Sequence, residues 1–541
     1  MVCLPRGCVG EGSMIEEGWG VTFGWQSAKE SEAEGLQFMR QRGRLGLKIF
    51  EEVIPMRRVE GFDDETIHNL FGTDTAEDED PARLKEYFFR NKSYQNIRSS
   101  LPLRILVGHK GIGKSALLRM AFLEDQEEGV LSLWVQPNDL ILEGSKEKTF
   151  LEKISGYKVL ISRAIYSKSI DSLKLPGEKR VTITLQDAGK QIISALVQKA
   201  IFASGADVDE ETKKIRHAFT RDREIRIYID DIDRGWKATE DDINNISALV
   251  NAARDLTNED QRIKIRIGLR SDAYYLYRTS DESTDKVEGN VVRLSWNRHD
   301  VITVMALRVA SYFGKSFDPK VLERLGQKEL AREIHPVIED KFSVGRGHWD
   351  GAPIHIVLLS LNRNRPRDLV KLLTAAAREA YRQGHAKILS ADLESVFSDY
   401  SHGRITDLTL EFKSELPNIE SLLYNMKPSG KAQAEKDKRW LYTNDELINK
   451  IRSIKQSHNF SFRNGRPATE KALAEFLYKI DFLIARDVDE RGAVRWTHFD
   501  QKRMLQSQFV DFGYKWEVHP AYRWALQPKT VHTILESISI T

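Results

Sequence analysis

The stretch Gly108-His109-Lys110-Gly111-Ile112-Gly113-Lys114-Ser115 follows the pattern GxxxxGK[ST] throughout. Each fixed residue type has a physical task. Gly108, Gly111 and Gly113 let the backbone curl until successive N–H groups face one point, where phosphate oxygens can bind. A helix opening at Lys114 adds the positive end of its dipole, and Ala116 belongs to the same helix start. Lys114 is expected to reach the β- and γ-phosphates of a nucleotide, and the Ser115 hydroxyl to ligate magnesium. His109 and Lys110 fill variable positions and are expected at the surface.

A second stretch, IRIYIDDIDRGW (225–236), runs from apolar residues into Asp230, Asp231, Asp233 and Arg234. Buried carboxylates are costly unless something positive meets them. Magnesium carried by a nucleotide would meet these. Asp230, first after the apolar run, fits a metal ligand acting through water, and Asp231 fits an acid that polarises the attacking water. Asp233 and Arg234 open the next loop. There they can pair with each other, cap locally, or face a neighbouring subunit.

The elements that must position these residues read as α/β. Short apolar runs LRILV, VLSLWVQP, IRIYI, IKIRIGL and VVRLSW alternate with helical patterns such as KSALLRMAFLED and ATEDDINNISALVNAARDL. That alternation predicts a parallel sheet with helices on both faces. Upstream, GLQFMRQRGRLGLKIFEEVI reads as a helix after a poorly ordered start, and an acidic loop leads into a helix near Pro81. Residues 140–220 are helical and polar and decorate the sheet. From about 298 the chain turns helical. The lysine-rich stretch 427–438 is the best linker. FLIARDVDERGAVRWTHF beyond it reads as a hairpin around Asp489 to Gly492. The expected division is an extension over 1–70, a nucleotide core over 71–297, a helical lid over 298–426 and a last domain over 440–541.

Bulk composition bounds the function. A chain of 541 residues is too long for one core. Hydrophobic residues at 41%, charged residues at 30% and a net charge of +2 fit a folded protein and argue against a polycation. Cys3 and Cys8 are the only cysteines, so a disulfide framework or a cysteine zinc site in the body is excluded. His355, His385, His498 and His519 lack ligand spacing and read as surface or packing residues. No apolar run approaches the roughly 18 residues that cross a bilayer. The start has no signal-peptide core, and Met14 could be the natural start, so a cytoplasmic protein with no membrane partner is expected.

With both motifs in place, the chain resembles the STAND and KAP-like branch of P-loop ATPases, where a strand ending in DD is followed by a hydrophobic residue and DR. More narrowly, it is similar to a bacterial group often encoded among phage-defence genes, in which an FG…E…L..YF segment precedes the phosphate loop; FGTDTAEDEDPARLKEYFF fits. The resemblance runs from about 70 to the C-terminus. It implies ATP and Mg2+ as cofactors, and Arg270, closing IKIRIGLR, as a sensor of the γ-phosphate. Arg270 could equally pair with Asp272, and Lys286 is a weaker candidate. NRNRPRDLVKLL resembles the lid-helix entry of such ATPases, with Arg367 as a second sensor and Asp368 as an early helix acid. Arg365 stands where many relatives carry glycine. The resemblance alone implies adenine as the base; no guanine-reading NKxD occurs.

Residues 440–530 resemble a winged helix with a slight basic excess. Such modules read DNA, but Glu470, Glu475, Asp481, Asp487, Asp489 and Glu490 would repel phosphates, and many winged helices contact protein. The leading reading is therefore an ATP-driven switch, a homo-oligomer acting through a separate partner or effector protein, in anti-phage defence. The alternative is a DNA-engaged AAA+-like ATPase that shares this domain order. A P-loop kinase is a third reading, disfavoured by the double aspartate and the long C-terminal extension.

Overall fold

The computed structural model describes residues 59–541 apart from 74, 76–77, 174–223, 281–284, 323, 345–348, 429–439, 489, 491–493, 500–513, 528–537 and 539–541. The five apolar runs form strands β1 (Leu103–Gly108), β2 (Leu131–Val135), β3 (Ile225–Ile229), β4 (Ile263–Arg270) and β5 (Val291–Arg293). They make one sheet in the order β2-β3-β4-β1-β5, and every pairing is parallel. Strands covered on both faces need near-continuous apolar sequence, which is what these runs supply. The helices that frame the sheet and the site are α1 (Asp64–Phe71), α2 (Lys114–Glu127), α3 (Phe150–Leu173), α4 (Glu240–Glu259), α5 (Arg298–Tyr312), α6 (Pro366–Gln383) and α7 (Phe397–Phe412).

Alternate residues of β1 feed different cores. Ile105 and Val107 join Ile227, Ile265 and Ile267 beneath α3 and α4, while Leu106 joins Leu117 and Leu118 of α2 on the opposite face. Local signals set several boundaries. Thr239 and Asp242 form a capping box at the start of α4. Pro366 opens α6, and Gly384 closes it in the left-handed conformation. The helix expected near Pro81 spans Pro81–Tyr87.

The C-terminal module comprises β6 (Leu441–Tyr442), α8 (Asn444–Ser457), α9 (Glu470–Lys479), β7 (Leu483–Val488), β8 (Val494–Thr497) and β9 (Lys515–Val518). Its antiparallel sheet runs β8-β7-β9-β6. The β7 and β8 strands pair as the expected hairpin, Trp496 opposite Arg486. Most of the expected linker, the helix before residue 55, and residues 174–220 lie outside the described residues.

Two expectations change. Residues before 71 are not all extension: Val59, Phe62, Ile67, Leu70 and Phe71 are buried, and α1 packs on α5 and α6. Nor do three cores divide the rest. The apolar cluster beneath α3 and α4 continues through Ile405–Met426 into Trp440–Leu526, and residues 58–541 form one compact unit.

Candidate nucleotide site

The phosphate loop joins β1 to α2 and depends on two left-handed glycines, Gly111 at φ 77° and Gly113 at φ 98°. A side chain at either position would be strained. Lys114 Nζ donates to Gly108 O at 2.9 Å and His109 O at 3.2 Å, so the ammonium lies folded into its own loop. The indole of Trp296 donates to Ile112 O at 2.6 Å and fixes the loop from the β5 side. From the lid, Arg367 lies against the loop: a Cβ on Gly111 would stand 3.0 Å from its Cδ.

The acids reach the loop by crossing a strand. Asp230 follows β3, and β4 stands between β3 and β1. Gly268 of β4 leaves the passage. A Cβ there would lie 2.2 Å from Asp230 Oδ1 and 2.9 Å from Leu118 Cδ1. Through this gap the Asp230 carboxyl comes within the influence of the Ser115 hydroxyl. Its side chain is buried and its Oδ2 has no hydrogen-bond partner in the protein. Burial pushes the Asp230 carboxyl above its ordinary range, against the influence of the Ser115 hydroxyl, which favours the charged form. The fold is that of a P-loop NTPase.

An orphaned buried carboxylate oxygen beside a serine hydroxyl is what a hydrated magnesium ion satisfies, so these residues fit that metal. Gly268 is the site residue that the motif reading missed. Its signal was a lone glycine inside an apolar strand, which marks close approach of another group. Gly268→Ala should displace Asp230 from Ser115 and lower magnesium-dependent ATP affinity about 10-fold or more, on the scale of a lost hydrogen bond to a charged group. Titrating ATP with and without Mg2+ checks this, and an unchanged magnesium dependence would refute it.

The remaining acids part company. Asp231 is exposed and adopts a left-handed φ of 57°. That turn swings Asp233 back inward, to a side-chain exposure of 8%, with Oδ2 3.3 Å from Arg270 Nε. Burial pushes the Asp233 carboxyl up to about 6, against the pull of Lys114 and Arg270. Arg234 is exposed. Arg270 also grips both oxygens of Asp272 at 3.0 and 2.9 Å and donates to Glu411 O at 2.9 Å. The pairing with Asp272 thus holds.

His109 was expected at the surface and is 2% exposed instead, because the C-terminal module covers it. Its Nε2 lies 3.9 Å from Asp481 Oδ2, and its ring stands edge-on to Phe499 at 6.5 Å. Lys110 keeps an exposed side chain, but its peptide groups are held from the lid. Lys110 N donates to Glu411 Oε1 at 3.1 Å, and Arg365 Nη1 donates to Lys110 O at 3.2 Å. Arg365 reaches on to Asp481 Oδ2 at 3.4 Å. Asp481 is itself left-handed at φ 57°. Arg363, Arg365, Asp481, His498 and Trp296 line a small cavity beside Ile112. Asp368 is more than a helix-start acid: it is buried between Arg363 and Arg404. Among the described residues no group of histidine, cysteine and carboxylate side chains could hold a further metal, and no helix is long and apolar enough to cross a membrane.

Residues 325–409 match the family model described as the FunZ-associated C-terminal helical domain, a segment that holds Arg363, Arg365, Arg367, Asp368 and Arg404. An 80.3 kDa protein named for transposon gamma-delta of Escherichia coli (strain K12) is 24% identical over 392 residues, 65% of this chain and 53% of that protein. Allergen Alt a 2 of Alternaria alternata is 27% identical over 136 residues, 25% of this chain and 62% of that protein. The chain thus spans about half to three-fifths of these curated relatives' lengths. Solved structures to which the chain is similar include Aeropyrum pernix ORC2, 12% identical with a TM-score of 0.37 over 85% of this chain and 93% of that one. Another is the RuvB Holliday junction branch migration motor of Thermotoga maritima, 10% identical with a TM-score of 0.28 over 78% and 93%. Likenesses at these scores say nothing of what this chain binds.

Proposed function

We propose that the protein binds ATP with magnesium in the phosphate loop, hydrolyses it slowly, and acts as a nucleotide-dependent switch. Gly108, Gly111, Gly113, Lys114, Ser115 and Ala116 cradle the phosphates, and Ser115 and Asp230 hold the metal. The metal offsets charge on the phosphates. Arg367 reports the nucleotide to the lid, and a carboxylate that follows Asp230 orients the attacking water. The observation that carries the reading is the double grip on Lys110: both its peptide groups are bonded to lid residues, and Arg365 continues to Asp481 of the C-terminal module. A loop that rearranges around phosphate must pull on both. The output is an oligomer or a contact with a separate effector protein in the cytoplasm, in a role in anti-phage defence that the resemblance to defence ATPases supports.

The alternative, DNA engagement through a winged helix, is disfavoured by α9. Ala472 to Lys479 are all buried, and Lys479 Nζ binds both oxygens of Glu415 at 2.7 Å. A helix buried along that length has no face to offer a major groove. Phosphate release from ATP, measured with and without double-stranded DNA, tests the choice. The expected rate is slow and indifferent to DNA, with assembly on adding ATP visible by light scattering. Strong stimulation by DNA would replace the switch with the DNA-engaged reading.

A further inference from the structure

The sequence pattern puts the water-orienting acid directly after the metal-binding one, but the geometry of the turn argues otherwise. Asp231 projects into solvent from a left-handed residue. A carboxylate hydrated in this way is a weak candidate to hold one water in one place. Asp233 is almost wholly shielded, and Arg270 fixes it at 3.3 Å. Arg270 is in turn immobilised by Asp272 and by Glu411 O, so Asp233 is braced by elements from both the sheet and the lid. Asp233 also lies within electrostatic reach of Lys114, the residue that marks where the β- and γ-phosphates sit.

Resting on the ATPase reading above, we propose that Asp233, rather than Asp231, is the carboxylate that takes the proton from the attacking water, with Arg270 as its positioning residue. The water oxygen bonds to the γ-phosphorus while the bond from that phosphorus to the β–γ bridging oxygen breaks. The bridging oxygen keeps the electron pair and leaves with ADP, its charge met by Lys114. The water's proton passes to an Asp233 oxygen and from there to the departing phosphate or to solvent. A carboxyl whose proton affinity is raised by burial suits this better than a freely hydrated one.

The test compares full-length wild type with Asp233→Asn, Asp231→Asn and Lys114→Ala. ATP binding and single-turnover phosphate release are measured separately. Asp233→Asn should bind ATP within a few-fold of wild type and release phosphate about 10²–10⁴-fold more slowly, the usual contribution of a positioned general base. Asp231→Asn should stay within a few-fold of wild type in both. Wild-type turnover in Asp233→Asn, or the large loss appearing in Asp231→Asn instead, overturns the inference while leaving the ATPase reading intact. Wild type that binds ATP no better than Lys114→Ala overturns that reading, and the inference with it. If Asn at 233 disturbs folding, Asp233→Glu keeps the carboxylate but moves it; it should bind ATP and turn over more slowly, and an unchanged rate overturns the proposal.

Discussion

Lys114→Ala should weaken ATP binding severely while leaving the fold in place. The ammonium is partly exposed, and its two hydrogen bonds go to carbonyls of its own loop, Gly108 O and His109 O. Removing it exposes those carbonyls to water and breaks no core contact, so the thermal midpoint should move little. Its proposed partner is a polyphosphate, which would face two backbone carbonyls in place of a cation. Truncating one member of a desolvated charge pair costs about 2–5 kcal/mol. At about 1.4 kcal/mol per tenfold, affinity should fall by about 30-fold to several thousand-fold. Calorimetric titration with ATP and Mg2+ reads this directly. An affinity unchanged by the substitution would mean that the nucleotide binds elsewhere.

The loop was legible because its requirements are local. Glycine at 111 and 113 answers a φ that other residues resist, and an apolar strand before and a helix after complete the context within a few residues. The same holds for the capping box at Thr239 and for Pro366 opening α6. The burial of Asp230 was legible for a related reason: it directly follows an apolar strand. What could not be read depends on residues far apart in sequence. His109 is buried by Asp481 and Phe499, which lie more than 370 residues further on, and no pattern near His109 announces them. Arg365 looked like a departure from glycine at a turn. In the fold it is the brace between Lys110, Glu411 and Asp481. The choice between Asp231 and Asp233 turns on a single backbone angle, and a run of aspartates is silent about which member points inward.

Asp368→Asn should be the most destabilising single substitution around the lid entry. The carboxylate accepts from Arg363 Nε and Nη2 at 2.6 and 2.8 Å and from Arg404 Nη1 at 2.6 Å, and all three side chains are no more than 4% exposed. Taken alone, burial would raise this carboxyl, but the two guanidiniums more than reverse that and hold it far below the usual carboxylate range. Asparagine keeps the shape and removes the charge, leaving two buried cations to share a neutral amide. Breaking a buried pair from one side costs about 3–5 kcal/mol. The midpoint of urea unfolding should fall accordingly at neutral pH. The pH dependence has a definite sign. A depressed folded-state pKa gives stability that is fully present above the unfolded value of about 3.9 and is lost as pH falls through the folded one. The gap between wild type and Asp368→Asn should therefore be constant from about pH 5 to 8 and narrow only below about pH 4, once protons compete for Asp368. The same three side chains fix the turn that aims Arg365 at Lys110 and Arg367 at Gly111. At temperatures where Asp368→Asn is still folded, its ATP affinity should consequently fall as well, although Asp368 touches neither the loop nor the metal ligands. A variant with the wild-type unfolding midpoint would mean that Tyr522, already bonded to Arg363 at 3.0 Å, is partner enough for the freed arginines.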